Sequence, residues 1–166
     1  GVSPDVEVEK EDYAKITRSL VGKGILFDYA TKFKHENEEI ATARKFEMSD
    51  AEYAKFIVWA KKQDYSYQTN VEKSLDNLIA SAKKDKYYED IKAQIKQLES
   101  KINTNKGGDL TNFKNEIREE LEKEIISRYY LEKGQMEASF DDNEEIRTAI
   151  AVLNDSERYK KILSGK

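Results

Sequence analysis

Pro4 is the only proline among 166 residues. Proline is the residue that most strongly breaks a helix, because it lacks a backbone N–H and clashes with the preceding turn. Beyond position 4 the chain is therefore free to be helical throughout. The proline sits in Gly1-Val2-Ser3-Pro4-Asp5-Val6-Glu7-Val8, where a Pro-Asp turn signal is followed by Val-x-Val alternation. That pattern predicts a short strand-like stub. A stub of this kind ahead of a helical body is expected to be the last strand of an upstream unit. The chain is accordingly expected to be the C-terminal piece of a larger protein, with residues 1–8 ending the upstream domain and 9–166 forming the helical one.

The body carries 37% charged residues against a usual level of about 25%. Its 38% apolar residues recur with helical period, so the charge belongs to solvated helix faces rather than to a disordered chain. Helix is predicted from Glu9 to about Glu36, with a break at Gly22-Lys23-Gly24, where two glycines weaken it. Residues 37–48 form a connector. Ser49 opens a helix with a capping box to Glu52, and its apolar face is Tyr53, Phe56, Ile57 and Ala60, with Trp59 beside it as a further core residue. Asp64 to Thr69 interrupts the pattern as an extended segment, and Thr69 or Asn70 caps a helix bearing Val71, Leu75, Leu78, Ile79 and Ala82.

Tyr88, Ile91, Ile95, Leu98 and Ile102 then recur at helical spacing. After a turn from Asn103 to Gly108, with Asp109 as N-cap, the face resumes at Leu110, Phe113, Ile117, Leu121, Ile125 and Tyr129. Two long amphipathic segments about Gly107-Gly108 predict an antiparallel helical hairpin, Tyr88 to Tyr129, as the protruding element. A box at Asp142-Asn143-Glu144-Glu145 opens a helix through Ile146, Ile150 and Leu153. Asn154 or Asp155 caps a last one through Tyr159, Ile162 and Leu163, ended by Gly165. In the adjacent pairs Tyr87-Tyr88 and Tyr129-Tyr130 one ring of each is expected in the core, with hydroxyls at its rim.

The residue inventory excludes several chemistries. The net charge is −4 with both signs interleaved, and no basic block marks a nucleic-acid partner. No apolar run is long enough to span a bilayer. With no cysteine and one histidine, disulfides and the usual zinc sites are excluded. His35 lies at a polar helix end, where a cation is favoured by the dipole. Asn103-x-Asn105-x-Gly107-Gly108 resembles a calcium loop, but Lys114 stands where a bidentate Glu is needed, so it is read as a turn and a cap. No serine lies in a glycine-rich elbow, and no lysine is singled out by an apolar setting that would activate it. No catalytic, cofactor-binding or metal-ligating residue is assigned, and no cofactor is implied.

Gly1-Val2-x-Pro4-Asp5-Val6-x-Val8 resembles the segment that closes the catalytic core of carboxyl-terminal processing, or tail-specific, proteases. A second resemblance lies at the far end, in Ser127 to Ser139 (SRYYLEKGQMEAS), Ile150 to Asp155 (IAVLND) and Tyr159 to Leu163 (YKKIL). These segments are similar to the helical tail that follows the core in long bacterial members, and both come in the expected order. The resemblance implies a Ser-Lys dyad upstream of the stub, so that no catalytic residue falls in this chain. It implies a serine endopeptidase as parent, usually with a PDZ domain, in the periplasm or otherwise exported.

The fold class expected is all-α, a multi-helix domain of six to eight helices with the long hairpin and the strand-like stub. The function expected is a non-catalytic C-terminal domain that braces the core, mediates oligomerisation or regulates substrate access. Its partners would be its own protease core and PDZ domain, a second copy, and the protein or peptide substrates of the parent. Two alternatives stand beside it: a stand-alone helical interaction module of adaptor or chaperone type, and an unrecognised hydrolase with its own site.

Overall fold

The computed structural model describes residues 4–8 and 12–165, apart from the side chains of 141 and 142. The described residues are all-α. The helices are α1 (Lys15–Gly22), α2 (Ile25–Glu36), α3 (Asp50–Ala60), α4 (Asn70–Lys84), α5 (Tyr88–Gly107), α6 (Asp109–Asn112), α7 (Lys114–Asp142), α8 (Glu144–Asn154) and α9 (Ser156–Leu163), with a single 3₁₀ turn at Ala43–Lys45. Nine helices among the described residues exceed the six to eight expected, because a break at Phe113 (φ −105°, ψ 28°) sets off the one-turn α6 from α7.

Local chemistry explains most boundaries. Ser49 caps α3 by accepting from the Glu52 N–H, and Thr69 with Glu72 forms a full capping box on α4. Gly24 ends the α1 region with φ 72°, a conformation that favours a residue without Cβ. The first helix begins at Lys15, later than the Glu9 expected; residues 9–11 lie outside the described part. Its N-cap position, Ala14, has no side-chain cap. Glu116 supplies one from α7: its carboxylate accepts from the Ala14 N–H at 3.1 Å and from the Thr17 hydroxyl. An acidic group at a helix N-terminus is favoured by the dipole, and Thr17 is the one buried polar residue among the described residues.

The chain divides into two compact units. One comprises residues 13–29 and 48–121. Its core centres on Phe56, which meets the Tyr29 ring edge-on at 5.1 Å and Tyr53 at 5.6 Å. Leu20, Leu26, Ile117 and Leu121 are buried in the same unit. Trp59 lies beside Tyr29 at 5.3 Å with its ring tilted, but is only half-buried, as is Ile57. The other unit comprises the described parts of 1–12, 30–47 and 122–166. Ala30, Phe33, Ala43, Ile125 and Ile126 are buried in it.

The hairpin expected about Gly107-Gly108 is not the pair that packs. Among the described residues α5 packs extensively on α4, and it has no comparable packing with α7. Gly108 stays near helical geometry (φ −91°, ψ −5°), so the glycines pass the chain directly into α6. The segment Asn103 to Gly107, expected as a turn, is the last part of α5. The turn that brings α5 onto α4 is instead Asp85-Lys86-Tyr87, with Lys86 at φ 67°.

The strand-like stub has no counterpart among residues 4–8, which contain no strand; residues 1–3 lie outside the described part. A strand needs a neighbour to complete its ladder, and the described chain has none. The alternation itself persists: Val6 and Val8 are half-buried while Asp5 and Glu7 are exposed.

Candidate functional site

Two places gather side chains from distant parts of the sequence, one in each unit. The first is built on α8 and α9. Asn143 starts α8 by accepting from the Ile146 N–H at 3.0 Å, one position after the expected Asp142. Asp155 starts α9 by accepting from the Arg158 N–H at 3.0 Å, and Gly165 (φ 65°) ends it. The two helices pack on each other. Neither contains a fully buried residue.

Between this pair and the segment 4–8 lies an apolar groove of about 760 Å³. Pro4, Val6 and Val8 line one side; Ala149, Val152 and Leu153 of α8 and Tyr159 and Ile162 of α9 line the other. The residues that carried the sequence resemblance at opposite ends of the chain thus meet at one place. Asp5, Glu7, Glu145 and Thr148 also line it, but the groove is mainly apolar, and what it offers among the described residues is apolar burial.

The Ser127 to Ser139 segment serves the same unit. The Tyr129 hydroxyl donates to the Asn37 carbonyl at 2.6 Å, and the Tyr130 hydroxyl to the Ala41 carbonyl at 3.1 Å. Lys34 Nζ lies 3.8 Å from the centre of the Tyr129 ring. Arg128 Nε reaches Thr31 Oγ1 at 3.3 Å, and its Nη1 pairs with Glu124 at 3.1 Å. The two tyrosines therefore pin the 37–48 connector by their hydroxyls, but neither ring is fully buried as one of the pair was expected to be: Tyr129 is half-buried and Tyr130 exposed. Of the other pair, Tyr88 is half-buried and Tyr87 is exposed.

The second place lies in the other unit, around Lys106. Its Nζ donates to Glu72 Oε1 at 2.8 Å and to the Tyr67 carbonyl at 2.5 Å, and it lies 4.4 Å from the centre of the Tyr67 ring. The Tyr67 hydroxyl donates to Asp109 Oδ2 at 2.6 Å. Asp109, expected to cap a helix, is thus the first residue of α6 and spends its carboxylate on Tyr67. Burial and the neighbouring Asp109 carboxylate push the Tyr67 phenol far up. Burial alone would raise Glu72, but hydrogen bonds from Lys106 and Thr69 outweigh it and hold the carboxyl below its ordinary value. Sequence reading missed this cluster because the segment Asn103 to Gly108 reads as a turn rather than as the end of a helix, and Tyr67 lies in an irregular segment.

His35 is exposed near the C-terminal end of α2. Among the described residues no group of three or more His, Asp or Glu is arranged to hold a metal ion. No helix of the described residues is long and apolar enough to cross a membrane.

Comparison with known proteins adds the family. Neither a curated protein nor a solved structure matches the chain. The family model described as the C-terminal helical domain of a probable PDZ-protease matches residues 16–153, from the first turn of α1 to the last turn of α8. With that match spanning most of an all-helical chain, the protein belongs to the family of C-terminal helical domains of probable PDZ-proteases.

Proposed function

We propose that this domain is the non-catalytic helical appendage of a serine endopeptidase of the carboxyl-terminal processing type. In this reading it braces the point at which the chain leaves the protease core. The observation that carries it is the apolar groove in which Val6 and Val8 face α8 and α9. Residues that close the core in the resembling family would then be gripped by the last two helices of the tail. Gripping the exit segment limits the motion of the core's last strand, which favours the ordered core. The catalytic Ser and Lys would lie upstream, residues 1–8 would end the core, and the enzyme would act outside the cytoplasm on proteins or peptides.

The test is made in the full-length protease. A form lacking α8 and α9 is compared with the intact enzyme for turnover of an unstructured protein and for the melting temperature of the core. Bracing predicts a lower melting temperature and lower turnover in the shortened form. Unchanged values of both would overturn the bracing role, and an intact protein with no peptidase activity would overturn the serine endopeptidase reading. Cell fractionation checks the exported location.

A further inference from the structure

The backbone of α7 contains a feature that neither the family nor the bracing role requires. Leu131, where two helical stretches of α7 meet at a kink, has φ 57° and ψ −163°. This region is accessible essentially to glycine alone, and a residue with a Cβ is strained there. Leu131 is 73% exposed, so burial of its side chain does not compensate. The single residue turns the chain back on itself. Gln135 Nε2 donates to the Lys123 carbonyl at 3.0 Å, twelve residues earlier. On a straight helix that separation would be about 18 Å, beyond the reach of a glutamine side chain. Gly134 permits the close approach. A Cβ built there would lie 2.1 Å from Tyr130 Cβ.

We propose that Leu131 is a hinge at which the arm 132–163 exchanges between two copies of this chain. In the exchanged form α7 runs straight through Leu131, and the arm makes on a partner copy the contacts it otherwise makes on its own. Three observations favour a second copy as the occupant. The reversal has no linker, so strain is concentrated in one residue that straightening relieves, the circumstance that invites exchange. The arm detaches at low cost, since Gly134 is its only fully buried residue among those whose side chains are described. The surface the arm leaves is, in every other copy, already shaped to receive it, with Tyr130 and the Lys123 carbonyl in place.

The experiment uses the whole 166-residue chain and two substitutions of opposite sign. Leu131→Gly removes the strain of the folded-back form and should favour the monomer. Gly134→Ala introduces the clash with Tyr130 and improves helix propensity, and should favour the exchanged dimer. Light scattering after size-exclusion chromatography is read across a concentration series. The dimer dissociation constant should fall roughly tenfold or more for Gly134→Ala and rise by a similar factor for Leu131→Gly. Spin labels at Glu122 on one copy and Glu137 on another should show a short inter-copy distance in the dimer. A Gly134→Ala protein that is folded and monomeric would overturn the proposal. So would a Leu131→Gly protein that associates like the parent sequence, or a dimer without the short distance. Should Gly134→Ala not fold, Leu131→Gly and the distance measurement decide alone.

Discussion

Lys106 shows how much one side chain can organise. It joins Glu72 of α4 and the carbonyl of Tyr67, and both ionic partners are mostly shielded, with side chains 24% and 22% exposed. Lys106→Met should destabilise the protein by about 1–2 kcal/mol, since it leaves an acidic group without its cation. The cluster also fixes the direction of the pH response. Glu72 has its carboxyl lowered on folding, so its contribution is present above the ordinary carboxylate value and is lost as pH falls toward the folded value. Tyr67 has its phenol raised, so its contribution is complete below the ordinary value of 10 and declines as pH climbs above it. Denaturant unfolding across pH should therefore show both limbs. Lys106→Met should shrink the acid limb, because the Glu72 carboxyl then loses the cation that holds it below its ordinary value, and Tyr67→Phe should flatten the alkaline one. An alkaline limb unchanged by Tyr67→Phe would remove Tyr67 as its source.

At the level of the element, helix ends are where the sequence was most and least readable. Ser49, Thr69 and Asp155 cap the helices expected of them, because a short polar side chain satisfies free N–H groups from its own position in the chain. Gly24 and Gly165 take positive φ at the ends of α1 and α9 for an equally local reason. The end of α4 is a Schellman motif, in which the Tyr87 N–H donates to the Ala82 carbonyl at 2.9 Å and the Lys86 N–H to Lys83 at 3.3 Å. Its left-handed residue is Lys86, not a glycine, so nothing in the sequence marked the turn. Gly107-Gly108 drew attention to the wrong connection, since glycine permits a turn without demanding one. The pairing of α4 with α5 was illegible for the same reason: the stripe of Ile91, Ile95 and Leu98 announces a buried face but not its partner. Lys86→Gly should stabilise the protein by about 1 kcal/mol, measured by denaturant unfolding. A destabilised Lys86→Gly protein would mean that position 86 does not need the left-handed conformation.

For the molecule as a whole, the legible part was the all-helical class and the resemblance carried by segments near both ends. The illegible part was that these segments meet. Val6 and Val152 belong to opposite ends of the sequence, and no periodicity or cap within either one encodes the distance between them. Both line the same groove and both are half-buried. If the groove holds the segment, the two valines share one free energy rather than contributing two independent ones. Val6→Ala and Val152→Ala should each lower the amide-exchange protection of α8 and α9. The double substitution should cost less than the sum of the singles by about 0.5 kcal/mol or more, because the first truncation already removes what the second would lose. Strict additivity would mean that segment 4–8 and α8 are neighbours without coupling. The proposed bracing role would then lose its structural basis, since it requires that segment 4–8 and the last two helices be coupled.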